Sequence, residues 1–90
     1  MSEYIHTVVV SDPIGLHARP IGQIVTLAKE SGLSVSLRRP GDDSVAAVSA
    51  LKLLAMKVKT GEELEVVIGD ADEKTAADVA ARIELLINQG

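Results

Sequence analysis

The pattern of apolar and polar positions changes period twice in the first half of the chain. Tyr4 to Val10 is a run of Tyr, Ile, Thr and Val interrupted by His6, residue types that suit a pleated, half-buried surface, and it predicts a strand. The run stops at Ser11-Asp12-Pro13-Ile14-Gly15, where proline offers no amide donor and glycine accepts unusual backbone angles, so a loop follows. From His17 onward Ile21, Ile24, Val25 and Ala28 recur three and four apart, one face of a helix that stops near Gly32. Leu33, Val35 and Leu37 then alternate with Ser34, Ser36 and Arg38, predicting a strand with one apolar face and one wet face. Arg39-Pro40-Gly41-Asp42-Asp43 is a turn cluster, after which Ser44 to Ala47 returns as a short third strand.

In the second half, Ser49 is placed to cap a short helix from Ala50 to about Met56, its hydroxyl accepting an otherwise unpaired amide. Gly61 ends the loop beyond it. Leu64, Val66 and Ile68, alternating with Glu65 and Val67, predict a fourth strand before the turn at Gly69-Asp70. Asp72 and Glu73 open a last helix, where acids suit the positive end of the dipole. Ala76, Val79, Ala80, Ile83, Leu86 and Ile87 form its buried stripe. The order is strand, helix, strand, strand, helix, strand, helix. One-sided strands need helices on a single face, so the fold class is α+β, a two-layer sandwich. No internal repeat, low-complexity segment or long linker divides residues 1–90, which read as one domain.

Composition narrows the function. The hydrophobic fraction of 47% is almost all Ala, Val, Leu and Ile, with one Tyr and no Phe or Trp. The core is therefore aliphatic, and the surface has no aromatic platform on which bases stack. A net charge of -4 also repels a phosphate backbone, so nucleic acid is not an expected partner. With no cysteine, thiol nucleophiles, disulfides and thiolate metal sites are excluded. Met1-Ser2-Glu3-Tyr4 has neither a basic region nor a following apolar segment, and the longest apolar stretches are short. The expectation is a soluble, cytoplasmic protein with no membrane segment.

Among the few remaining candidate nucleophiles, His17 stands out. It follows a glycine-containing loop and directly precedes a predicted helix, where the first amides lack a carbonyl partner inside the helix. With His17 at the cap, Ala18, Arg19 and Pro20 fill the first turn, and proline is tolerated there. Free amides, the dipole's positive end and the Arg19 guanidinium then converge on an anion held at the imidazole. The same positive field favours the neutral ring, the form whose lone pair attacks phosphorus. Dipole effects of about 0.3–1 kcal/mol tune such a site and do not create it. Spacing alone leaves two readings open: a phosphoryl acceptor, or an ordinary capping histidine beside a solvated arginine. The two histidines stand apart with no acid paired to either, which gives neither a catalytic triad nor a metal-ligand set. His6, inside the first strand, reads as structural.

The stretch Gly15-Leu16-His17-Ala18-Arg19-Pro20 resembles the phosphorylation-site motif of the HPr family, the phosphocarriers of the sugar phosphotransferase system. Chain length, element order, the Ser49 helix start and Gly61-Glu62-Glu63-Leu64 are similar to that family too. The resemblance implies an open-faced sandwich, a four-stranded antiparallel sheet covered on one face by three helices, in the order βαββαβα. It implies phosphorylation of His17 on Nδ1 by phospho-enzyme I, itself charged from phosphoenolpyruvate, and transfer to a sugar-specific enzyme IIA. The protein is then expected to be a monomeric, stoichiometric carrier and not a turnover enzyme, with no cofactor or metal.

By the same resemblance Arg19 neutralises phosphate charge, and the backbone of Ala18 and Arg19 supports it. Ala18, Ala50, Leu51, Lys52 and Leu54 match docking positions, with Lys52, Lys57 and Lys59 as a basic rim for acidic partners. Ser49 matches a serine that a dedicated HPr kinase phosphorylates in many Gram-positive relatives. Those relatives usually carry a glycine three residues later, whereas Lys52 stands here, as in relatives without the kinase; helix capping alone accounts for Ser49. Ile14 replaces the Ser or Asn whose side chain supports the phosphorylated site in many relatives. Gly22, inside the first helix, costs roughly 1 kcal/mol against alanine and is read as tolerated or as room for a partner. Two other functions fit the resemblance: a carrier of a nitrogen-related regulatory branch, and an interaction module that is never phosphorylated. The presence of His17 argues for carriage.

Overall fold

A computed structural model describes residues 3–89. The elements run β1 (Tyr4–Val9), α1 (Ala18–Ser31), β2 (Ser34–Arg38), β3 (Val45–Ala46), α2 (Ala50–Ala55), β4 (Glu63–Gly69) and α3 (Glu73–Gln89). The order is the one the hydrophobic periods predict, with boundaries within a residue or two.

All pairings in the sheet are antiparallel, and the spatial order is β1-β4-β2-β3. The register sets Val8 opposite Leu64, and Leu37 opposite Val66, so the apolar alternates of the three longer strands share one face. Helices cover that face. Ile21, Ile24 and Ala28 of α1 and Ala76, Val79, Ala80, Ile83 and Ile87 of α3 bury their stripes there, and α2 contributes Leu53. With Tyr4 packed only against its edge, the core consists of many aliphatic side chains in contact. This is the open-faced α+β sandwich that the sequence pattern and its resemblance imply.

Val67 departs from the simple alternation. It points to the open face, yet it is buried, because β4 is a central strand and Ile5 and Ser36 lie directly opposite on its two neighbours. Beside it the ion pair of Arg38 and Glu65, 2.6 Å apart, spans β2 and β4 on the same face.

Candidate functional site

The loop from Val10 to His17 is tied along its length to residues 58–62. The Val10 amide donates to the Glu62 carbonyl at 2.9 Å, Gly61 donates to Val10 at 2.8 Å, and Leu16 donates to Val58 at 3.1 Å. The Thr60 hydroxyl donates to the Asp12 carbonyl. Within the loop, Gly15 donates to the Asp12 carbonyl at 2.9 Å, and the Ile14 amide donates to Asp12 Oδ1 at 2.8 Å. These bonds make a β-turn reinforced by an Asx turn, the use to which an Asp-Pro-x-Gly sequence is suited. Gly15 is required: its φ is +84°, and a Cβ there would lie 2.7 Å from the Val58 carbonyl oxygen.

The loop delivers His17 to the N-cap of α1, with extended backbone at φ -117° and ψ -177°. The imidazole makes no capping hydrogen bond, and α1 carries no acid in its first turn. The amides of Ala18 and Arg19 find no acceptor among the described residues; the first helical bond runs from Ile21 to the His17 carbonyl at 3.2 Å. Pro20 is buried in the first turn, where a missing amide proton costs nothing. Ala18 and Arg19 are exposed, and Arg19 makes no ion pair among the described residues.

The His17 side chain is 24% exposed, and its two nitrogens have different surroundings. Nε2 has no solvent contact and no hydrogen-bond partner, alone in this respect among the described residues. Nδ1, likewise without a hydrogen-bond partner among the described residues, is not sealed off in this way and so is the more open of the two ring nitrogens. On the inner side Asp12 Oδ2 stands 3.8 Å from Nε2. The expectation of histidines without acids is thus corrected twice. Asp12 lies beside His17, and His6 Nε2 donates to Glu84 Oε1 at 2.7 Å, bridging β1 to α3. Nothing in the spacing of either pair marks it, since one depends on the turn and the other on how α3 packs.

Most of the other residues singled out in the sequence lie on α2, which packs against α1. Ser49 caps α2, its Oγ accepting from the Lys52 amide at 3.3 Å. Ala50 and Lys52 are exposed, Leu51 is 79% exposed and Leu54 41%, while Leu53 faces the core. A short helix with one buried residue has most of its surface to spare. Ile14, 71% exposed, and Val48 add to the apolar surface, and Lys57 and Lys59 are exposed nearby in sequence.

The family model described as the PTS HPr component phosphorylation site matches residues 5–88. The chain belongs to the HPr family. HPr proteins are the phosphocarriers of the phosphotransferase system, and three solved structures show the same fold. A histidine-containing phosphocarrier protein from Mycoplasma superposes with a TM-score of 0.81 at 21% identity, covering 97% of this chain and all of that one (100%). Phosphocarrier protein HPr from Bacillus anthracis gives 0.79 at 21% identity, over 96% and 98% of the two chains. HPr-C-His from Thermoanaerobacter tengcongensis gives 0.72 at 24% identity, over 97% and 96%. A sequence comparison with curated proteins finds no match. Among the described residues no helix is long and apolar enough to cross a membrane.

Proposed function

We propose that this HPr-family chain carries a phosphoryl group on Nδ1 of His17, receiving it from phospho-enzyme I and delivering it to an enzyme IIA. The observation that carries the proposal is the partly exposed imidazole at a helix start without a side-chain cap, with Nδ1 the more open nitrogen and two amides without acceptors beside it. A phosphoryl group on Nδ1 brings negative charge to that helix end. The Ala18 and Arg19 amides, the dipole and the Arg19 guanidinium offset it, each charge-assisted bond being worth about 1.5–3 kcal/mol.

The exposed Leu51 and Leu54, with Ala18 and Ala50, form the docking surface, and Lys52, Lys57 and Lys59 give it a positive rim that favours acidic partners. Ser49 acts as a helix cap, its hydroxyl already engaged by the Lys52 amide. The protein works stoichiometrically in the cytoplasm as a single domain, without cofactor or metal.

Incubation with phosphoenolpyruvate and enzyme I tests this reading. Intact-mass measurement should show one acid-labile phosphoryl group on the wild-type protein and none on His17→Ala. Equal labelling of the two would refute it.

A further inference from the structure

Asp12 is the one buried charged residue among those described, 4% exposed, and the turn accounts for only half of its carboxylate. Oδ1 accepts from the Ile14 amide at 2.8 Å. Oδ2 makes no hydrogen bond among the described residues, and it points at the His17 edge that is itself buried and unpartnered, 3.8 Å from Nε2. Leaving the Nε2 edge buried without a partner is costly, since it forfeits its water, and the Asp12 carboxylate is the charged group that faces it.

We propose that Asp12 is a positioning residue for phosphoryl transfer: its Oδ2 holds the proton on His17 Nε2 and so keeps the lone pair on the more open Nδ1. The inference rests on the phosphocarrier reading of His17 and adds the reason why one nitrogen is the nucleophile. A neutral imidazole carries one proton, and its tautomer is set by what the other nitrogen meets. A carboxylate accepts and cannot donate, so the nitrogen facing Asp12 is the protonated one.

In the transfer step the Nδ1 lone pair forms the nitrogen–phosphorus bond while the bond from phosphorus to its donor breaks, the electron pair leaving with the donor. Nε2 keeps its proton throughout. The ring therefore becomes a phospho-imidazolium with one positive charge, and the Asp12 carboxylate lies where that charge develops. The gap of 3.8 Å closes by a small ring or carboxylate rotation, as hydrogen bonds in resting sites tighten when charge appears. The geometry has the logic of the aspartate behind the histidine of a serine-protease triad, which fixes the tautomer and does not itself take the proton.

Asp12→Asn separates this role from the turn. The Asn carbonyl oxygen still accepts from the Ile14 amide, but an amide NH₂ now faces Nε2, donates to it, and drives the proton to Nδ1. The test uses ¹⁵N NMR of the ring at a pH about two units above the ordinary imidazole value, together with the rate of phosphorylation by enzyme I and phosphoenolpyruvate. Wild type should show the Nε2–H form. Asp12→Asn, with an otherwise native spectrum, should show a shift toward Nδ1–H and transfer slowed by at least about tenfold.

An Asp12→Asn ring that stays in the Nε2–H form, or transfer at the wild-type rate, overturns the proposal. The His17→Ala protein separates the two levels. If it is unlabelled while Asp12→Asn behaves as wild type, only the role of Asp12 fails; if it is labelled, the phosphocarrier reading of His17 fails.

Discussion

Gly15 shows how much of the site depends on one backbone angle. A Cβ at φ +84° would meet the Val58 carbonyl oxygen at 2.7 Å, so Gly15→Ala must move either the loop or residues 58–59. The expected loss is about 1–3 kcal/mol in urea unfolding, together with a displaced His17; a variant as stable as wild type would contradict the contact. Glu62 fastens the other side of the same junction. It accepts from Arg39 Nε at 2.7 Å and from the Lys59 amide at 2.6 Å, and these bonds hold its carboxyl down from 4.5 to about 2. A group with a lowered folded-state pKa stabilises fully above its unfolded value and loses that contribution as protons bind. The stability difference between wild type and Glu62→Gln should therefore be largest near neutral pH and shrink between about 4.5 and 2; a difference constant with pH in urea titrations would contradict it. Proline and glycine in the loop signal a turn from sequence alone. That Asp12 reaches the ring of His17 does not show there, because it follows from a loop conformation fixed by residues 58–62.

Among the elements, α1 was legible from both ends. Pro20 in the first turn and the left-handed Gly32 at φ 70° after the last mark its limits, and its apolar residues repeat at helical spacing. Gly22 is the residue that its own helix does not explain. It lies on the wall of an open groove with Arg19, Gln23, Leu27 and Leu86, and outside its own helix backbone nothing among the described residues comes within 4 Å of an added Cβ. Gly22→Ala should raise stability by about 0.5–1 kcal/mol through helix propensity, read as a higher urea midpoint; a loss would show that the glycine conformation itself is needed. The last helix was equally legible. Asp72 caps it, accepting from the Thr75 amide at 3.1 Å and the Thr75 hydroxyl at 2.7 Å, and these bonds lower its pKa. The two-residue β3 was visible only as the return of a turn cluster, and burial of Val67 on the open face only follows once strand order is known. Strand order is set by non-local packing, which a periodic pattern does not carry.

At the scale of the molecule, the fold packs α2 against α1 and ties the loop to residues 58–62, so that the partly exposed His17 ring and the apolar surface of α2 are presented by the same small body. Leu51 contributes to that surface and not to the core, being 79% exposed. Leu51→Glu should leave the free energy of urea unfolding within about 0.5 kcal/mol of wild type and slow phosphorylation by enzyme I. Unchanged kinetics would remove Leu51 from the docking surface. Which of a short helix's leucines face the core is not decided by their spacing; here Leu53 is buried, while Leu51 and Leu54 are exposed.

The central claim is that a helix-start imidazole takes phosphorus on its more open nitrogen. Two-dimensional ¹⁵N–³¹P correlation NMR on the uniformly ¹⁵N-labelled protein, phosphorylated with phosphoenolpyruvate and enzyme I, tests it most directly. The expected result is a single phosphorus signal coupled to Nδ1 of His17. A signal coupled to Nε2, one arising from His6, or phosphorus attached through a serine oxygen would contradict the account.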